Sequence, residues 1–405
     1  MKQLIHLGKN VWKLIVLFLL ILTTFSYAMF QGGFVSWFLF YSFLPFALYG
    51  LALSFYSVGT FRAERDLVKT DYNAGEKLKV KVTLKRDNSF PLFFLIAEDC
   101  LNEALSFSSK GNKAKSFVFP WFKREVSFEY EVDGLPRGEH IFENIRLKTG
   151  DPIGLIEKEK LVELEGRIMV YPAYEELIYK PADNHYDQGM TASKERVQRD
   201  TSMAVGIREY QPGDRFSWIN WKATARRNDI MTKEFEQRKS HDVYIMMDCA
   251  PDERFEGIVS FTASVIRGIL RKGAQTGLIT MGAERAAFPV RGGEGQQQQL
   301  FYHLAKVKDD CPVSFDRVLE TENFLAQQNV SLMLITAQLT KRMVEKASFY
   351  ASHKNAVTIF LLKNEREAAA KEEIALRASA NARGVKVVLV HEGQFSEAFS
   401  EVNRG

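Results

Sequence analysis

The sequence predicts a chain of mixed class: a membrane-spanning helical hairpin, then an all-β domain, then a doubly wound α/β domain on a mainly parallel sheet. Three observations carry this. Two apolar runs, Val11 to Tyr27 and Phe34 to Tyr56, each approach the ~20 residues that a helix needs to cross a bilayer. Leu78, Val80, Val82 and Leu84 alternate with Lys77, Lys79, Lys81 and Lys85, the period of a half-buried antiparallel strand. From Val243 onward, apolar runs of strand length alternate with segments of helical spacing, as a parallel sheet covered on both faces requires. The expected divisions are residues 1–60, two transmembrane helices; 61–172, the β-domain; 173–240, a linker with a distinctive segment; and 241–405, the α/β domain.

Composition sets the bounds. A chain of 405 residues that is 46% apolar can bury sizeable cores in several domains. Its net charge of +4 is small for that length and argues against a dedicated nucleic-acid binder, whose domain would be clearly basic. Cys100, Cys249 and Cys311 stand far apart, with no CxxC pair and no metal-ligand spacing, and read as free thiols of a reducing compartment.

In the hairpin, AMFQGG separates the two apolar runs and carries no charge. No clear small-residue cleavage site follows the first run before the second apolar stretch begins, so it is read as a retained helix and not a signal peptide. Lys2, Lys9 and Lys13 precede the hairpin and Arg62 and Arg65 follow it, so the positive-inside rule places both termini and the soluble domains in the cytoplasm of a multi-pass protein of the cell membrane. Pro45 is tolerated in the second helix as a kink.

The β-domain has further strand candidates at Leu92 to Ala97, Ser116 to Phe119, Arg124 to Val132, His140 to Leu147 and Arg167 to Val170. Turn signals such as Asp133-Gly134 and Arg137-Gly138 separate them. Short strands so spaced suggest an immunoglobulin-like β-sandwich without the antibody disulfide. The charged face of the lysine-rich strand is a solvated sheet face. The following stretch, Ala173 to Met203, reads as a polar linker, and His185 between Asp183 and Asp187 lacks the second nitrogen or sulfur ligand of a metal site.

Gly206 to Gln237 is the most unusual span. Ile207 to Tyr210 is a short extended run that Pro212-Gly213 ends in a turn. Asp214 is placed to cap a helix containing Phe216, Trp218, Ile219 and Trp221. Trp218 and Trp221, three apart, then share a face and anchor the segment. Arg208, Arg215, Lys222, Arg226 and Arg227 occupy what remains, and from Gly206 to Ser240 eight basic residues face five acidic ones.

In the α/β region, strands are expected at Val243 to Met247, Thr276 to Met281, Leu332 to Ile335, Val357 to Leu362 and Val385 to Val390. The expected helices are Arg254 to Lys272, Gln296 to Val307, Phe315 to Ala326, Lys341 to Ser352 and Glu365 to Arg383. Gly292, Gly293 and Gly295 read as a hairpin turn and not as a phosphate cradle, because no hydrophobic strand precedes them. The chain has no GxxxxGK[ST], HExxH or GxSxG motif. Cys249 beside Asp248 has no sequence-level link to His241 or His303, and a neighbouring carboxylate raises a thiol's pKa. Ligands of such sheets bind outside the carboxyl ends of the strands, where Asp248 and Thr336 fall.

The ordered run REYQPGD, WINWKATARR and KEFE closely resembles the signature of the domain of unknown function 58 family, bacterial membrane-anchored proteins that join it to a von Willebrand factor type A-like domain. RGEHIFENIRLKTGDPIGL and the later VYP resemble the segment that precedes it. The resemblance implies no reaction. It does imply a divalent-cation edge of DxSxS type with a later Thr and Asp; here Asp248-Cys249-Ala250-Pro251-Asp252 lacks both serines, so Asp248, Asp252 and Thr336 read as a degenerate site, with no cofactor expected. It also implies a MoxR-type AAA+ ATPase and a transglutaminase-like membrane protein as associates. The expectation is therefore a non-enzymatic scaffold that docks partners through Arg208, Tyr210, Asp214, Arg215, Trp218, Trp221, Lys222, Arg226 and Arg227. Two alternatives compete with it: nucleic-acid or anionic-lipid binding by the same surface, and a metal-dependent hydrolase at the Asp248 edge. A third reading has the signature clasp the soluble domains together.

Overall fold

Long apolar stretches free of acidic residues form the two helices α1 (Lys2–Gln31) and α2 (Phe34–Phe55). The structure is a computed structural model that describes residues 2–101, 105, 114–180, 198–211, 214, 216–227, 229–238, 242–321, 330–352, 356–365 and 367–399. Trp12–Gln31 and Phe34–Phe55 are each long and apolar enough to cross a membrane. The first helix outruns its expected end at Tyr27 because Ala28 to Phe30 stay apolar. Gly32 and Gly33, at φ 56° and 99°, stop it in a backbone conformation that side chains resist.

The chain forms two compact units, Met1–Tyr171 and Pro172–Gly405. In the first, a three-stranded antiparallel sheet runs in the order β1 (Phe61–Leu67), β3 (Leu78–Arg86), β6 (Glu125–Val132). A five-stranded sheet has the order β2 (Asp71–Asn73), β8 (Glu157–Tyr171), β7 (Gly138–Gly150), β4 (Leu95–Asp99), β5 (Lys115–Val118). Val80 pairs with Tyr130 and Val82 with Phe128. These residues share one core with Phe142, Ile145, Leu147 and Ile168 of the second sheet, and the same core takes in Leu17, Ala47 and Leu53 of the helices. Lys158 of β8 closes the end of α2 by donating to the Ser54 carbonyl at 2.7 Å and to that of Tyr56.

Three features of this unit differ from expectation. The strands β1 and β2 were not anticipated, and β8 begins ten residues before Arg167. In β8 only Ile168 and Val170 are fully buried; Val162 and Leu164 pack half-buried on the same core, and the charged start, Glu157 to Lys160, is held by main-chain pairing with β7 and offers no apolar residue to read. Arg65 is not a free flanking charge: its Nε and Nη2 donate to Asp99 at 2.9 and 2.7 Å, and its Nη1 donates to the Leu164 carbonyl at 2.8 Å. Tyr130 Oη donates to the same carboxylate at 2.7 Å, and both ion-pair partners are buried.

The second unit opens with a strap, residues 172–180, where from Ala173 the sequence reads as linker. It runs along α4 (Phe255–Arg271): Glu175 N donates to Ser264 Oγ at 2.9 Å, and Lys272 Nζ to the Tyr179 carbonyl at 3.0 Å. Gly268 admits it, since a Cβ there would collide with the Leu177 side chain. The six-stranded sheet has the order β13 (Arg285–Arg291), β12 (Thr276–Met281), β11 (Val243–Met247), β14 (Ser331–Thr336), β15 (Val357–Lys363), β16 (Val385–His391). Every pair is parallel except β12 with β13. The edge strand β13 was missed because its residues alternate between exposed and half-buried and include Pro289. The accompanying helices are α5 (Glu294–Lys306), α6 (Phe315–Thr321), α7 (Lys341–Ser352) and α8 (Lys371–Ala382). The start of α8 lies six residues past the expected Glu365, where the Glu373 carboxylate accepts from Ala370 N at 2.9 Å. Strand order reverses between β11 and β14, so their carboxyl ends open the crevice where such sheets bind ligands.

Candidate functional site

The chain turns back on itself across the signature segment. Strand β9 (Gln198–Glu209) pairs antiparallel with β10 (Met231–Arg238), in the register Glu209 to Met231 and Ile207 to Lys233. The expected extended run at Ile207 is thus the end of a 12-residue strand that starts in the presumed linker. Tyr210 N donates to the Ile230 carbonyl at 2.8 Å and closes the ribbon below its tip.

Asp214 organises that tip, and the single helix expected to run from it through Trp221 is split in two. Asp214 Oδ2 accepts from Gln211 N at 3.0 Å, and its Oδ1 receives Arg208 Nη2 at 2.7 Å. A 3-10 turn, Phe216–Trp218, follows, and the helix α3 (Trp221–Arg227) begins separately. Its cap is Asn220, whose Oδ1 accepts from Ala223 N at 3.3 Å. Thr224 Oγ1 accepts from Met231 N at 3.0 Å and ties α3 to β10.

Because turn and helix are distinct, Trp218 and Trp221 do not share a helical face. Ile219 is the buried anchor, bridged to Thr232, while Trp218 is half-buried. Phe216 is 77% and Trp221 69% exposed, with Ile207 and Ile230 exposed as well. Tyr210 is half-buried, its ring stacked 6.3 Å from that of Phe216. Lys222, Arg226 and Arg227 are exposed, and Arg215 lies outside the described residues. The tip therefore displays aromatic rings beside basic groups.

The carboxyl edge of the six-stranded sheet is closed by its own side chains. Asp248 is buried; its Oδ2 accepts from Thr336 Oγ1 at 2.7 Å and its Oδ1 from Ala250 N at 2.9 Å. Desolvation raises its pKa against these hydrogen bonds. Asp252 receives Arg254 Nε and Nη2 at 2.9 and 3.0 Å, and Gln338 Nε2 at 3.1 Å. The guanidinium holds this carboxyl down at about 2. Arg254 continues to Glu367 at 3.5 Å, and Lys363 joins Glu367 at 3.0 Å to Glu373 at 2.7 Å. Five charges, from Asp252 to Glu373, thus form one chain.

These residues do not fit a divalent cation. Every carboxylate oxygen of Asp248 and Asp252 is committed to a protein donor, and the positive charge that Asp252 needs comes from Arg254. Among the described residues, no three His, Cys, Asp or Glu side chains gather as metal ligands. The Cys249 thiol is buried, and burial pushes it up to about 12. His303, its pKa lowered by burial, lies 2.7 Å from Thr280 Oγ1. His185, Asp183, Asp187 and His241 lie outside the described residues. Sequence reasoning missed Asn220, whose signal is an Asn directly before a helix, and the long-range partners of Arg254, for which the sequence carries no signal.

The family described as Protein of unknown function DUF58 matches residues 206–403. Over 389 residues the chain is 40% identical to the Uncharacterized protein YeaD of Bacillus subtilis (strain 168), an alignment that covers 95% of this chain and 96% of that one. Among solved structures it is similar to proximal thread matrix protein 1 from the mussel byssus, with 12% identity over 40% of this chain and 46% of that one and a TM-score of 0.28. It is similar also to the CARDB domain of a Pyrococcus furiosus protein, with 11% identity over 27% of this chain and 91% of that one and a TM-score of 0.19.

Proposed function

The chain belongs to the DUF58 family of proteins of unknown function, and from that premise we propose that it is a membrane-anchored scaffold or adaptor that binds other proteins. The observation that carries this reading is the ribbon tip, where exposed Phe216 and Trp221 stand beside exposed Lys222, Arg226 and Arg227. Aromatic and arginine side chains dominate the energetics of protein interfaces, and a tip that merely filled a core would bury them. The two apolar helices serve as the anchor, with the soluble regions facing the cytoplasm. The sheets of the first unit serve as an immunoglobulin-like spacer. Strand order and the single antiparallel edge strand support a type A-like reading of the second.

The partner implied by the family resemblance is a MoxR-type AAA+ ATPase, with a transglutaminase-like membrane protein beside it. The test is a crosslinked pull-down from detergent-solubilised membranes, comparing the native chain with an Arg226→Glu, Arg227→Glu variant whose folding is checked by circular dichroism. Loss of a recovered ATPase supports docking through the tip; an unchanged partner set moves the surface to the sheet's carboxyl edge. Binding that instead collapses steeply with salt, with nucleic acid or anionic lipid as the ligand, favours that alternative. Hydrolysis at the Asp248 edge has the least support, because Arg254 and Thr336 already engage the carboxylates. The expected outcome of adding magnesium or a chelator is an unchanged melting temperature. In Arg254→Ala, which releases Asp252, magnesium is expected to raise it.

A further inference from the structure

The β-domain carries a second aromatic surface, far in sequence from the signature. Phe119 is 59%, Trp121 49% and Phe122 64% exposed, and exposed Lys123 and Arg124 follow them. These rings continue an aromatic ladder that begins on α2. Tyr49 packs edge-on against Phe93 with ring centres 4.6 Å apart, and Phe93 lies 5.3 Å from Trp121. Beside it, Phe94 stacks on Phe117 at 5.5 Å, and Phe117 meets Phe119 at 5.0 Å. Tyr49 precedes the last residue of α2, Phe55, by six positions, which at the helical rise is about 9 Å of helix. The loops therefore reach alongside the final turns of the helix.

This arrangement is built and held. Arg86 is buried and donates to three main-chain carbonyls, those of Phe90 and Trp121 at 2.6 Å and of Lys123 at 2.8 Å, so one guanidinium fixes both loops. Leu92 and Trp121 exchange main-chain hydrogen bonds of 3.2 and 3.0 Å. Trp121 is held at φ 49°, the one non-glycine residue with positive φ among the described residues. A bulky side chain in that conformation is disfavoured and persists where the surroundings enforce it. What the enforced conformation achieves is a large ring at the surface.

We propose that the loops at residues 89–94 and 117–124 seat the β-domain in the headgroup zone of the same bilayer that α1 and α2 cross. The proposal rests on the reading of those helices as membrane spans. Lipid is favoured as the occupant because the surface is continuous, through Tyr49, with a helix whose apolar side chains face outward. Aromatic rings flanked by Lys and Arg also have the composition of a membrane–water boundary, with rings at the acyl edge and ammonium or guanidinium groups at the phosphates.

The test uses the full chain in vesicles of phosphatidylethanolamine and phosphatidylglycerol. Spin labels are placed one at a time through Phe119→Cys, Phe122→Cys, Leu51→Cys in α2 and Lys79→Cys on the outer face of β3, in a Cys100→Ser background that leaves buried Cys249 and Cys311 in place. Power saturation then compares access to lipid-soluble oxygen and to a water-soluble nickel chelate. The expected result is a shift of the Phe119 and Phe122 labels toward oxygen and away from nickel, as for Leu51, with Lys79 showing the reverse. Labels at 119 and 122 that match Lys79 while Leu51 remains lipid-exposed overturn the seating and leave the spans standing. Shielding of both labels from both reagents means that protein covers the surface, and it also overturns the proposal. A water-exposed label at Leu51 overturns the spanning reading and the seating with it.

Discussion

Asp99 receives three donors from two residues inside the β-domain, and neither it nor Arg65 has access to water to replace a lost partner. Asp99→Asn leaves a buried guanidinium uncompensated and is expected to cost about 3–5 kcal/mol in denaturant unfolding of the detergent-solubilised chain. The exposed Lys79–Glu131 pair, at 2.9 Å, is a control whose removal is expected to leave stability unchanged within error. Asp248 and Asp252 pull in opposite directions with pH. The folded value of Asp252 is held at about 2, below the ordinary range, so its contribution is full above that range and fades as pH falls toward 2. Asp248 is raised by burial, so stability falls as pH rises through its folded value; Asp248→Asn should remove that fall in unfolding curves taken as pH rises above the ordinary carboxylate range. The grouping of Asp248, Asp252 and Thr336 at one edge was legible in the sequence; the buried Asp99 network was not. Arg65 reads there as a juxtamembrane charge, and nothing in the residues near position 99 announces a partner 34 positions upstream.

At the scale of elements, legibility follows burial. The strand Leu78–Arg86 alternates because one side faces a core, and it stands where its pattern puts it. Helix Lys341–Ser352 has the expected boundaries for the same reason, with Met343, Val344, Ala347 and Tyr350 buried. By contrast β8, β9 and β13 lean on ladder pairing: β8 opens on the charged run Glu157 to Lys160, and in β13 Ala286, Phe288 and Val290 alternate only half-buried around Pro289. The signature's helix is split because an intervening 3-10 turn separates Asp214 from α3, which Asn220 caps. Asn220→Ala is expected to weaken α3 by about 1 kcal/mol, read as faster hydrogen exchange at Ala223 and Thr224. Gly268→Val should push Leu177 off α4 and release the strap, detected as new proteolytic cleavage within residues 172–180.

Across the whole molecule, the succession of apolar helices, antiparallel sheets and parallel sheet follows the coarse blocks of the sequence, because each block has its own hydrophobic period. The carboxyl edge does not, since Arg254 and Glu367 meet across 113 positions and only the folded sheet brings them together. The hydrophobic interior runs unbroken from the sheets into α1 and α2, and Lys158 fastens the carbonyls at the end of α2. No slack tether separates helix from sheet there. A pull or twist applied to the β-domain is therefore passed directly to the helical pair, as through a stiff lever.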